Sequence, residues 1–140
     1  MKSLFHHAAL VGKYQAVSSG SGGALSRQTL HRIGEFLMGL GLEVSLEAYT
    51  ATNMNLNDYN RLNVAGIGKN CDVCIVVGGD GTMLGIARQL ARYGVPLIGI
   101  NQGRLGFMTD IPLLNFETIL RPRLEGHFTE ERRRLIQARL

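Results

Sequence analysis

The stretch CDVCIVVGGDGTMLGIARQLARYGVPLIGIN, residues 71–101, decides the fold. Residues 71–77 are apolar apart from Asp72, and residues 95–100 form a second apolar run. Continuous rather than alternating runs belong to strands buried on both faces, as in a parallel sheet. Between them, residues 83–93 read as a helix. The order is strand, glycine loop, helix, strand: a βαβ unit, whose crossover is right-handed almost without exception.

The loop inside this unit is Gly78, Gly79, Asp80, Gly81 and Thr82. Small residues let main-chain amides come close to an anion, and a following helix adds its positive N-terminal end. A carboxylate in such a loop repels phosphate unless a metal ion intervenes, or unless it takes a proton from a hydroxyl that attacks phosphorus. The plainer alternative is a tight strand-to-helix turn in which Asp80 or Thr82 caps the helix. A second loop, Asn101, Gln102, Gly103, Arg104, Leu105, Gly106 and Phe107, follows the next strand. Both loops therefore open on one sheet edge, the carboxyl edge, where open α/β sheets bind ligands.

Outward from this unit, residues 8–11 read as a buried first strand ending at Gly12, with Lys13 at its carboxyl end. Residues 18–23 have the Ser/Gly composition of a loop. A helical pattern follows with Leu25, Ile33, Phe36, Leu37 and Leu40 on one side, closed by Gly39 and Gly41. Leu42, Val44 and Leu46 alternate with Glu43, Ser45 and Glu47, which predicts a half-exposed strand near a sheet edge. Residues 50–63 read as a surface loop. Residues 113–124 read as a helix that Pro122 should end or kink. Residues 135–140 alternate like a strand without a partner.

At 140 residues, 45% hydrophobic and 19% charged, the chain fits one ordinary globular domain. The formal charge of +4 reflects arginines gathered late: Arg121, Arg123, Arg132, Arg133, Arg134 and Arg139. Aromatics are only 6% with no tryptophan, so the composition argues against nucleic-acid binding. The sequence has no apolar stretch of membrane-spanning length and no signal-peptide profile at its N-terminus, so a cytoplasmic location is expected. Cys71 and Cys74 have a Cys-x-x-Cys spacing; as members of one strand they should point to opposite faces and share neither metal nor disulfide. His6, His7, His31 and His127 show no metal-ligand spacing, and no metal-binding residues are assigned. Neither a P-loop Gly-x-x-x-x-Gly-Lys-Ser/Thr nor a Gly-x-Gly-x-x-Gly at the first strand is present. Phe107 is expected to be partly a core residue and Arg88 a solvent-facing helix side chain.

Gly-Gly-Asp-Gly-Thr followed one strand later by Asn-x-Gly-x-Leu-Gly-Phe resembles the N-terminal domain of NAD kinases, along the whole chain from Gly12 and Lys13 onward. The first motif also resembles one in diacylglycerol and sphingosine kinases, and phosphofructokinases share the broader fold; the second loop points to NAD kinase. The resemblance implies a three-layer α/β domain with a mostly parallel sheet, phosphofructokinase-like. It implies transfer of the ATP γ-phosphate to the adenosine 2'-hydroxyl of NAD, giving NADP, with a divalent metal ion, Mg2+. Asp80 matches the family's proposed general base. Gly81 matches its neighbour in the NAD contact, while Gly78, Gly79 and Thr82 would shape the phosphate-facing loop. Asn101, Gly103, Leu105, Gly106 and Phe107 fall where the family contacts the dinucleotide. Small-molecule nucleotides are the implied partners, with the full-length form a homo-oligomer.

The family also has a second, β-rich domain that supplies an Asn-Glu motif and a further Asp. Residues 1–126 are expected to form the nucleotide-binding domain and 127–140 to begin the second, with little kinase activity from this chain alone. A lipid kinase of the diacylglycerol type and a non-catalytic nucleotide-binding or interaction fragment are the alternatives.

Overall fold

The computed structural model describes residues 5–12, 27–102 and 105–125. Their core is one six-stranded sheet in which every neighbouring pair is parallel. The strands are β1 (His7–Gly12), β2 (Glu43–Glu47), β3 (Asn60–Leu62), β4 (Val73–Gly78), β5 (Leu97–Asn101) and β6 (Ile111–Pro112). They lie in the order β3-β2-β1-β4-β5-β6. The helices are α1 (Arg27–Gly39), α2 (Ala48–Met54), α3 (Val64–Asn70), α4 (Asp80–Leu90) and α5 (Phe116–Leu124).

Strand alternation divides the apolar side chains between two layers. Ala8, Leu10, Val73, Ile75 and Val77 pack with Leu30, Ile33 and Leu37 of α1 and Phe116 and Leu120 of α5. Ala9, Val11, Cys74 and Val76 pack on the opposite face with Ile67 of α3 and Met83 and Leu90 of α4. The result is the expected three-layer α/β arrangement, with the strands of the βαβ unit, β4 and β5, inside the sheet. The strand order reverses direction between β1 and β4, the switch point where doubly wound sheets leave a crevice beyond the strand ends. The end of β4 and the start of α4, residues 78–82, lie there.

Several sequence expectations change. β2 is not half-exposed: Ser45 and Glu47 are 1% and 3% exposed, because β3 lies outside β2 and makes it an inner strand. Residues 50–63 are not a loop. They hold most of α2 and all of β3. The buried Glu47 carboxylate caps α2, accepting hydrogen bonds from the Tyr49 and Thr50 amides and the Thr50 hydroxyl at 2.9, 2.9 and 2.7 Å. The Thr50 hydroxyl also accepts from the Gly12 amide at 3.1 Å, joining α2 to the end of β1.

Cys71 lies just before β4, at the end of α3, so strand alternation does not govern it; both thiols sit in the same core layer, unpaired. The α1 helix closes as expected at Gly41, whose φ of +95° is one that L side chains rarely adopt. Pro122 stands in the last turn of α5, which ends two residues later. Lys13, residues 18–23, Gly103, Arg104 and residues 127–140 lie outside the described residues.

Candidate functional site

Residues 78–82 do not form a separate loop before a helix that begins at Met83. Gly78 ends β4, Gly79 is the N-cap of α4, and Asp80, Gly81 and Thr82 make its first turn. The helix has no side-chain cap hydrogen bond. Asp80 therefore does not play the capping role that the plainer reading gives it, although a carboxylate in the first turn still suits the positive helix end. The side chain instead crosses to the second loop.

There the carboxylate meets four donors. Oδ1 accepts from the Met108 amide at 3.0 Å, the Thr109 amide at 3.1 Å and the Thr109 hydroxyl at 3.0 Å. Oδ2 accepts from the Phe107 amide at 2.8 Å. A carboxylate offers about four acceptor sites, two on each oxygen. Oδ1 is thus crowded with three donors and Oδ2 holds one.

Register brings the two loops together. Gly78 pairs with Asn101 across β4 and β5, so both segments leave the sheet at one level. The chain then comes back to the sheet, where Ile111 pairs with Ile100. The Gly106 amide donates to the Thr109 carbonyl at 3.1 Å, which tightens the returning part. Gly106 also lets the carboxylate in: a Cβ there would stand 2.7 Å from Asp80 Cγ and 2.8 Å from Oδ2. The glycine of Leu-Gly-Phe is required by its contact with the Asp of Gly-Gly-Asp-Gly-Thr.

Loss of solvent raises the Asp80 pKa, and the hydrogen bonds from Phe107, Met108 and Thr109 outweigh it, holding the carboxyl below its ordinary value. The group is ionised at neutral pH. It is better suited to accept and orient a hydroxyl proton than to remove one early in a reaction.

The other predicted residues take separate positions. Asn101 is buried and donates from Nδ2 to the Thr109 hydroxyl at 2.7 Å. Leu105 and Phe107 are 54% and 80% exposed, so Phe107 is not the core residue expected of it. Arg88 is exposed on α4, as expected. Among the described residues, a Cβ on Gly79 or Gly81 would meet nothing within 4 Å. Sequence reasoning missed Thr109, fully buried and bonded to both Asp80 and Asn101. Its one signal was a hydroxyl two places after the glycine motif, in a segment that must turn back toward the sheet.

No group of three His, Cys, Asp or Glu among the described residues converges on a point where a cation could sit. Asp80 already accepts four hydrogen bonds, and the other nearby carboxylate, Asp110, is paired with Arg123 at 3.2 Å. These side chains do not fit a protein-held Mg2+ site, and no step is assigned to one. Among the described residues, no helix is long and apolar enough to cross a membrane.

Residues 21–128 match the family model of the ATP-NAD kinase N-terminal domain. The NAD kinase of Methylibium petroleiphilum is 58% identical over 137 residues, 98% of this chain and 43% of that protein. The NAD kinase of Paracidovorax citrulli is 56% identical over 140 residues, 100% of this chain and 47% of that protein. The chain spans less than half the length of these relatives. A crystal structure of yeast NADH kinase complexed with NADH shares the fold, with a TM-score of 0.60 at 16% identity over 85% of this chain and 38% of that one. The two loops joined through Asp80 thus stand in a chain that belongs to the ATP-NAD kinase family and matches its N-terminal domain.

Proposed function

We propose that this chain is the nucleotide-binding half of an NAD kinase, which transfers the γ-phosphate of ATP to the adenosine 2'-hydroxyl of NAD. The observation that carries the reading is the Asp80 carboxylate, fixed at the switch point with Oδ1 filled and Oδ2 holding a single donor. Oδ2 is the oxygen that can accept the hydrogen bond of a substrate hydroxyl. In phosphoryl transfer through a loose transition state, bond formation lags bond breaking, so the protein's work is mainly to orient the nucleophile and stabilise charge. An acceptor with a depressed pKa fits that work. It holds the hydroxyl in line and takes the proton late, as the oxygen becomes acidic.

The surroundings support the same reading. The first-turn amides of α4 lack intrahelical partners and point where phosphate oxygens are stabilised. Gly79 and Gly81 keep clear a space that no described residue fills. Leu105 and Phe107 present exposed apolar surface beside it, suited to a nucleoside. Mg2+ would enter with the triphosphate, whose oxygens are its natural ligands. A cytoplasmic location and a homo-oligomeric full-length form accompany this proposal.

The test joins this chain to the remaining length of the Methylibium petroleiphilum relative and measures kcat and the NAD dissociation constant for native Asp80 and Asp80→Asn. Turnover should fall by roughly a hundredfold or more, as for loss of a general base, with NAD affinity nearly unchanged. Equal losses in both would show that Asp80 merely binds. A joined protein that phosphorylates a diacylglycerol and ignores NAD would replace the reading with the lipid-kinase alternative.

A further inference from the structure

The Asp80 carboxylate is held by a second residue that is held in turn. The Thr109 hydroxyl has one proton, and two contacts decide where it points. Asn101 Nδ2 donates to the oxygen at 2.7 Å, and Asp80 Oδ1 lies 3.0 Å away as an acceptor. With Asn101 filling an acceptor position, the hydroxyl proton is directed to Oδ1. Asn101 is fixed by β5 and accepts the Leu113 amide on its carbonyl at 3.1 Å. The line runs from the sheet through Asn101 and Thr109 to the first turn of α4.

Packing confirms that Thr109 cannot wander. It is fully buried and lies over Gly99, where a Cβ would stand 2.7 Å from Thr109 Cγ2 and 2.9 Å from its Cα. Gly99 lets the segment lie flat on β5, so the hydroxyl reaches both partners at once. A hydroxyl buried only for packing would need one partner. This one has two, Asn101 at the end of β5 and Asp80 in the first turn of α4.

We propose that Thr109, set by Asn101, is a positioning residue for Asp80: its hydroxyl fixes the rotation of the carboxylate so that Oδ2 faces the ligand. This rests on the reading of Asp80 as the acceptor of a ligand hydroxyl. Thr109 itself touches no reacting atom.

The experiment follows the side-chain carboxyl carbon of Asp80 by NMR through an acid titration of the 140-residue chain. Native protein is compared with Thr109→Val, which keeps the shape, and Thr109→Ser, which keeps the hydroxyl. The Asp80 midpoint should move up toward the ordinary aspartate range in the valine variant and return to its native position in the serine variant. Asn101→Ala, which leaves the hydroxyl free to rotate, should move it in the same direction by less. An unmoved midpoint in Thr109→Val overturns the proposal, as does a serine variant that behaves like valine. If the valine variant fails to fold, the serine and Asn101→Ala titrations decide alone: native-like midpoints in both overturn the proposal, and an upward move confined to Asn101→Ala supports it. NAD added to the native chain separates the two readings. No change at the Asp80 carbon would defeat the nucleotide-binding reading, while the midpoints would still decide the role of Thr109.

Discussion

Replacing Gly106 with alanine tests the joint between the two loops most directly. The added Cβ would come closest to Asp80 Oδ1 and stand 2.7 Å from Cγ; ordinary contact begins near 3.4 Å, so the segment must retreat by at least about 0.7 Å. The Phe107 amide sits 2.8 Å from Oδ2 and would be carried to about 3.5 Å, beyond a useful hydrogen bond. Hydrogen bonds to charged groups contribute about 1.5–3 kcal/mol each, and this partly exposed one belongs at the low end. With the bonds from Met108 and Thr109 strained but kept, the expected cost is about 1–2 kcal/mol. For a domain of this size that lowers the melting midpoint by roughly 3–8 °C.

Thermal unfolding followed by circular dichroism measures this, with Gly81→Ala as the control. Among the described residues a Cβ at Gly81 meets nothing within 4 Å, and in the first turn of α4 alanine suits the helix better than glycine, so that variant should melt no lower than the native chain. Hydrogen exchange supplies the local readout: the Phe107 amide should exchange roughly tenfold faster in Gly106→Ala. A Gly106→Ala protein that melts with the native chain and keeps that amide protected would refute the geometry, because the carboxylate could not then occupy the place described.

Acid should weaken the fold partly through Asp80. Its folded pKa lies below the ordinary 3.8, so its contribution is fully present above the unfolded value and is lost as pH falls through the folded one. Urea midpoints taken from neutrality into the acid range should fall less steeply for Asp80→Asn than for the native chain, and parallel curves would contradict this. The cysteines should be inert: burial pushes the Cys71 thiol up to about 11 and the Cys74 thiol higher still. Iodoacetamide at mildly alkaline pH should modify neither until the chain unfolds; prompt labelling of the native protein would place them outside the core.

The central unit was legible because its physics is local. Residues 73–77 and 98–100 are buried on both faces, and only a continuous apolar run survives there without unpaired polar groups. Two glycine-rich loops one strand apart then had to open on one edge. The rest depended on partners far away in sequence. Glu47 looks like the polar half of an alternating strand until α2 folds back to place three donors on it. With seven residues, α2 is too short to show a helical period, and its start is signalled by a glutamate that also ends a strand. Thr109 carries no periodic signal. Its role exists only once β5 and β6 pair and return it to Asp80.

Asp80 also bears on how the molecule ages. It is followed by Gly81, and among aspartates in unstructured chains one that precedes glycine most readily closes to a succinimide and reopens as isoaspartate. Closure requires the Gly81 nitrogen to attack the Asp80 side-chain carbonyl carbon. Here the helical first turn fixes that nitrogen, while four donors from another strand's loop fix the carboxylate. The same bonds that aim the group thus preserve it chemically, and a stored sample should accumulate isoaspartate at this position only as fast as it unfolds.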